Sequence, residues 1–189
     1  EVAARVRLIA KEIASHNSVL VFTNTRATAE TISNKLFMLG SEIPISIHHG
    51  SLGVATRVTA ESGLKFGSIR GVVTTSSLEL GIDVGSIDFV IQYGSPRQAT
   101  HLIQRVGRSG HRVGMVPRGE IIAIDAEDAI ESLVVRDRAL RGEIEPVQPP
   151  VKPLDVLAHQ TLGLLFWEPR ISIDRILGIY IRSNPYRGL

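Results

Sequence analysis

Ser18-Val19-Leu20-Val21-Phe22, running directly into Thr23-Asn24-Thr25-Arg26, sets the fold class. A continuous apolar run leaves no side for solvent, as expected of a strand buried on both faces of a parallel sheet. The polar turn then opens a helical pattern with Ala29, Ile32, Leu36 and Leu39 on one side, closed by Gly40. A strand that passes through hydroxyl and amide side chains into a helix makes a phosphate cradle. The first helical amides lack partners there, and the helix dipole favours an anion. The same Thr and Asn residues also read as ordinary N-caps, and the two roles are compatible.

The rhythm continues on both sides. Residues 2–15 place Val2, Val6, Ile9, Ala10 and Ile13 on one helical face. Ile45-Ser46-Ile47 is a second strand, leading into His48-His49-Gly50-Ser51-Leu52. The adjacent histidines have no third ligand at a zinc-like spacing, so no metal site is expected. A helix follows from Val54 to Phe66, weakened at Gly63 by about 1 kcal/mol relative to Ala. Gly71–Thr75 and Ile87–Gln92 form the third and fourth strands. Ser95-Pro96 reads as a capped helix start, with Leu102, Ile103 and Val106 on the inner face. Gly119–Ile124 is the last strand, and a helix covers Ala126 to Arg141. Strands alternating with helices predict an α/β domain with a mostly parallel sheet over residues 1–145. Residues 146–153, rich in proline, form a stiff linker. Beyond it, 154–189 reads as a short all-α segment with helices over Leu154–Phe166 and Ile173–Ile181.

Composition narrows the classes. Hydrophobic residues make up 43% and charged residues 21%, as in ordinary globular chains. There is no cysteine, which excludes disulfides and thiolate metal sites. No apolar run approaches the roughly 20 residues of a membrane span, and the charged start is no signal peptide. No membrane association and a cytoplasmic location are therefore expected. A chain that opens on a helix without methionine reads as part of a longer polypeptide. The net charge of +2 says less than its distribution. Between Asp88 and Glu120 stand five arginines (97, 105, 108, 112 and 118) and no carboxylate. Three of them fall in Gln104-Arg105-Val106-Gly107-Arg108-Ser109-Gly110-His111-Arg112, at helical spacing. Planar, permanently charged guanidinium groups suit a polyphosphate whose charge grows during reaction. No Gly-x-Gly-x-x-Gly follows a strand, which argues against a dinucleotide enzyme.

Thr75-Ser76-Ser77-Leu78-Glu79-Leu80-Gly81-Ile82-Asp83, followed by the Gln104–Arg112 stretch, resembles motifs V and VI of superfamily 2 helicases. The similarity is to the Lhr (large helicase-related) family, and it is strong over residues 17 to 125. It implies a three-layer RecA-like second motor lobe, followed by the opening helices of a winged-helix domain. It implies ATP with Mg2+ as cofactor, held mainly by a first RecA-like lobe of the same polypeptide. It also implies single-stranded or partly duplex nucleic acid as partner, 3′→5′ movement and a monomer. Thr23, Asn24, Thr25 and Arg26 (motif IV), His49 and Gly50, and Thr75 and Ser76 are implied nucleic-acid contacts, and Arg57 matches a helicase arginine. Gly81 and Asp83 are implied to face ribose and phosphates. Arg108 is the principal implied arginine finger, with Gln104 beside it in motif VI. Arg112, His111 or Arg105 supplies the second position. No Gly-x-x-x-x-Gly-Lys-Ser/Thr loop or acidic metal-holding pair occurs here. The fragment alone is thus expected to be inactive in ATP hydrolysis. A non-catalytic nucleic-acid-binding module is the alternative.

Overall fold

Alternate residues of the first strand explain the layers of the first domain. The computed structural model describes residues 1–40, 43–110 and 116–189. Strand β1 (Val19–Thr23) is buried along its whole length. Val19 and Val21 meet Val6, Ile9 and Ile13 of α1 (Val2–Ser15) and Ala29, Ile32 and Leu36 of α2 (Arg26–Met38). Leu20 and Phe22 point the other way. They meet Leu64 of α3 (Val54–Phe66) and Leu78, Val84 and Ile87 of the loop between the third and fourth strands. Period-two side-chain alternation between two helical layers requires an apolar residue at every position, which is why the run carries no polar break.

The sheet is five-stranded and parallel throughout, with the order β2-β3-β1-β4-β5. The other strands are β2 (Ile45–His48), β3 (Gly71–Thr74), β4 (Phe89–Tyr93) and β5 (Gly119–Ile122). From β1 the chain moves to one flank, and from β4 to the other. The C-terminal ends of these neighbours therefore bound the crevice where open α/β sheets take ligands. After β4 comes α4 (Ala99–Val106), and after β5 comes α5 (Ala126–Arg141), which packs on α4.

Three expectations are corrected. The fourth strand begins at Phe89, two residues after the expected Ile87. The last strand ends at Ile122, two residues before the expected Ile124. The helix expected at Ser95-Pro96 begins at Ala99, because Arg97 takes a left-handed φ of 65° and Ser95 Oγ accepts from Arg97 N instead of capping a helix. The cap comes from far along the chain. Glu145 Oε1 accepts from Ala99 N at 2.8 Å, and Oε2 accepts from Thr100 N and Thr100 Oγ1 at 3.0 and 2.8 Å.

Gly63 has a packing reason. A Cβ there would lie 2.4 Å from Cδ1 of Ile69, so the glycine lets α3 close on the turn that enters β3.

The chain divides into two compact units, Glu1–Glu145 and Pro146–Leu189. The second contains α6 (Leu154–Trp167) and α7 (Ile173–Tyr180). Tyr180 and Tyr186 are buried and tilted against each other at 5.6 Å, and Tyr186 Oη donates to Pro153 O. No residue of α6 is buried, and Leu154, Leu162, Phe166 and Trp167 are exposed.

The Glu145 cap makes stability depend on pH. Backbone N–H donation from Thr100 and Ala99, with the Thr100 hydroxyl, lowers its carboxyl pKa to about 2. A depressed folded-state value means that the contribution is complete above the unfolded value of about 4.3 and is lost as pH falls toward 2. Glu145→Gln is expected to lower the thermal midpoint at pH 7, with the gap from the parent closing below about pH 4. A gap independent of pH in calorimetry would contradict the assignment.

Candidate nucleic-acid and nucleotide interface

The loops leaving β1, β2 and β3 converge on one open pocket of about 460 Å³. Its lining is Asn24, Thr25, Arg26, Gly50, Thr75, Ser76 and Ser77, a guanidinium with hydroxyls and an amide and no carboxylate. Six of these seven, all but Ser77, are residues that the sequence nominates, and Arg26 and Gly50 stand in apposition. The Arg26 Nη2 atom lies 3.9 Å from where a Cβ on Gly50 would stand. Thr25 caps α2, its side chain accepting from Thr28 N at 3.1 Å, so the capping role is realised.

Two nominated residues sit elsewhere. Thr23 is fully buried, and its hydroxyl is within bonding distance of Thr25 O and Thr74 O, tying the ends of β1 and β3 together. His49 is buried on the α2 side, its Nε2 2.9 Å from Glu30 Oε1. His48 goes the opposite way. Its Nδ1 lies 2.8 Å from Ser77 Oγ and its Nε2 2.8 Å from Glu61 Oε1 of α3. The adjacent imidazoles thus diverge, for the pleat alone sends neighbours to opposite faces. Ser77 enters the pocket with its hydroxyl oriented by His48, a link missed in the sequence. Strand alternation was the available signal: His48 falls on the face of Ser46, toward α3.

From this pocket the 75–83 segment continues along the sheet to the arginines. A short 3-10 turn (Ser76–Leu78) buries Leu78, and Glu79, only 5% exposed, follows. Arg105 of α4 is equally enclosed. Its Nε donates to Glu79 Oε2 at 3.1 Å, and its Nη1 donates to Gln92 Oε1 and Asn24 Oδ1 at 2.8 and 3.2 Å. The guanidinium also lies 5.5 Å over the Phe22 ring. The structure commits Arg105 to an internal ion pair, which removes it as a free arginine in this arrangement. A buried guanidinium with these acceptors holds elements together.

Arg108 is different. It is partly exposed just beyond α4. Its Nε and Nη2 donate to Glu79 O at 3.0 and 2.7 Å, and its Nη1 donates to Ile82 O at 3.0 Å. These acceptors are neutral carbonyls, so among the described residues no carboxylate cancels its charge. Three of five N–H groups hold the fork in place, leaving two for a ligand. Gln104 is partly exposed beside it on α4. Gly81 is exposed with a φ of 76° and open space on its Cβ side. Asp83 is exposed and engaged, its Oδ2 2.6 Å from Lys65 Nζ and its Oδ1 accepting from Gly85 N. Arg57 is partly buried on α3, with its Nε unpaired among the described residues. Ser109 is buried and anchors the turn to β5, its Oγ bonded to Val106 O and to the Arg118 backbone. Gly110 then takes a φ of 82° and passes against Pro117. His111 and Arg112 lie outside the described residues.

A parallel sheet between helical layers, with hydroxyl-rich loops and an arginine turn at one edge, is a RecA-like α/β arrangement. Residues 3–113 match the helicase conserved C-terminal domain, and the chain belongs to that family. Its similarity to Lhr-type helicases runs along the whole chain. It is 38% identical over 190 residues to the ATP-dependent helicase Lhr-Core of Methanocaldococcus jannaschii, covering 100% of this chain and 22% of that protein. It is 34% identical over 212 residues to the Lhr helicase/uracil glycosylase of Escherichia coli, covering 96% of this chain and 14% of that protein. The structure of the Mycobacterium smegmatis helicase Lhr bound to ssDNA and AMP-PNP superposes with a TM-score of 0.89 at 38% identity, covering 97% of this chain and 25% of that one. The expected RecA-like fold is thereby shown. The chain spans about a fifth of the archaeal relative's length.

The internal ion pair has a measurable consequence. Arg105→Ala leaves Glu79 buried without its charge partner and is expected to cost about 3–5 kcal/mol of unfolding free energy. Arg108→Ala removes a partly exposed side chain with no carboxylate to orphan, and is expected to cost about 1 kcal/mol. Urea denaturation of the two variants checks the order.

Proposed function

We propose that this chain is the second motor lobe of an ATP-dependent superfamily 2 helicase or translocase acting on DNA with 3′→5′ polarity. The observation that carries the reading is the continuity of the 75–83 segment. At its start it lines the open pocket with Thr75, Ser76 and Ser77, and at its end its carbonyls hold the uncancelled charge of Arg108.

The pocket residues suit the sugar-phosphate backbone of a single strand. Arg26 supplies charge, the hydroxyls donate, and the amino end of α2 adds its dipole. Such contacts position a strand without reading its sequence. Arg108 is the arginine finger of this reading, with Gln104 beside it and Arg112 or His111 as the further contributor. Gly81 leaves room for a nucleotide to approach the backbone, and Asp83 lies at the same end of the segment. ATP with Mg2+, held mainly by a first RecA-like lobe, supplies the phosphoryl chemistry. This chain contributes a preorganised positive charge to the γ-phosphoryl oxygens, where charge develops in the transition state. Residues 154–189 open a winged-helix domain in this reading, and the exposed apolar face of α6 is the surface that the remainder of such a domain would cover. The active unit is a monomer, since both lobes belong to one polypeptide. Among the described residues no helix is long and apolar enough to cross a membrane.

In the intact protein, Arg108→Ala is expected to reduce ATP turnover by about 10³–10⁵-fold while single-strand affinity stays within a few-fold. Retained turnover with lost binding would reverse the assignment. Arg26→Ala is expected to weaken single-strand binding and to reduce the slope of log K against log salt by about 0.7. An unchanged slope in fluorescence anisotropy titrations would remove Arg26 from the phosphate contacts.

A further inference from the structure

We propose that Glu79 is the positioning residue that ties the nucleic-acid pocket to the arginine at the nucleotide end. Its carboxylate holds Asn24 through Arg105, and its own backbone carbonyl holds Arg108. The inference rests on the motor reading above and deepens it.

Glu79 interrupts the apolar sequence Leu78-Glu79-Leu80 and is almost wholly buried. An acid in that setting persists only when its charge is paired and its lone pairs are filled. Arg105 Nε fills Oε2 at 3.1 Å. His101 Nδ1 lies 2.8 Å from Oε1, close enough to attract but not aligned as a hydrogen bond.

The guanidinium of Arg105 is a rigid plane, so its Nε and Nη1 cannot move independently. The Nη1 donates to Asn24 Oδ1 at 3.2 Å. Asn24 in turn donates through Nδ2 to Ser95 O at 2.7 Å, and it lines the pocket. A strand that displaces the Asn24 amide therefore tilts the Arg105 plane and moves its grip on Glu79.

The second link is the Glu79 peptide itself. It closes the 3-10 turn, with its N–H donating to Ser76 O at 3.0 Å. Its carbonyl accepts from Arg108 at two nitrogens, 3.0 and 2.7 Å away. Tilting the carboxylate turns the peptide that aims Arg108. The same residue thus connects to the pocket through Arg105 and Asn24, and to Arg108 through its own backbone carbonyl. Coupling of two sites requires such a shared element with two arrangements that both ligands bias. Glu79 touches neither ligand and is no catalytic residue.

The test uses the intact protein and an oligothymidylate strand as probe. Glu79→Gln keeps shape and backbone carbonyl but removes the charge. Arg105→Lys keeps the charge but loses the fork. Both variants are expected to lower the ratio of strand-stimulated to unstimulated ATP turnover by about tenfold at saturating strand. The strand Kd is expected to stay within about threefold, a coupling loss without a binding loss. An unchanged ratio, with both rates falling together, would overturn the proposal and leave Glu79 a structural ion-pair partner. Should both variants unfold, amide hydrogen exchange on the parent protein decides. Slower exchange at residues 79–82 on adding the strand without nucleotide supports the link, and unchanged exchange overturns it. A parent protein whose ATP turnover no strand stimulates would overturn the motor reading itself.

Discussion

The guanidinium of Arg105 has to be satisfied inside the protein, and much of the first domain is arranged around that need. Glu79 provides the charge, while Gln92 and Asn24 provide amide oxygens. These partners come from the 75–83 segment, from β4 and from the end of β1, and Arg105 itself belongs to α4. One buried cation thereby fixes the relative placement of four pieces of chain. The arrangement is costly to break at any single partner, because each removal leaves a charge or a polar group without water.

That cluster also separates two kinds of arginine that are three positions apart. Residue 105 turns inward against Phe22 and an acid, whereas residue 108 falls beyond the last helical residue, where carbonyls orient it without neutralising it. The helix explains the difference. Arg105 lies on the buried face of α4, and Arg108, past the helix end, is released toward the loop. The same helix is capped at its other end by Glu145, the last residue of the first unit. Helix α4 is therefore pinned at its beginning by Glu145, far along the chain, and at its end by the buried ion pair.

The pocket depends on parallel strand direction. Because β1, β2 and β3 run the same way, their exits share one edge, and short polar loops separated by dozens of residues meet there. Thr25, Gly50 and Ser76 could not line one space in an antiparallel arrangement of the same strands. Period-two alternation then distributes the roles. Thr23 and His49 turn inward to fasten the edge, and their neighbours remain open to a ligand.

By itself the sequence determined the periodic features: both-face burial of β1, the helix over 126–141, the proline-rich break near 146 and the resemblance carried by residues 75–83 and 104–112. These follow from local chemistry, since each depends on residues within one element. Only the tertiary structure decided which nominated side chains face outward. That Arg105 is an internal partner, that His48 orients Ser77, and that Glu145 caps α4 all depend on contacts between residues 13 to 46 positions apart. Local spacing carries no record of such contacts. They arise because buried polar groups take whatever partner the packed sheet and helices bring within reach, and that is settled only when the layers close.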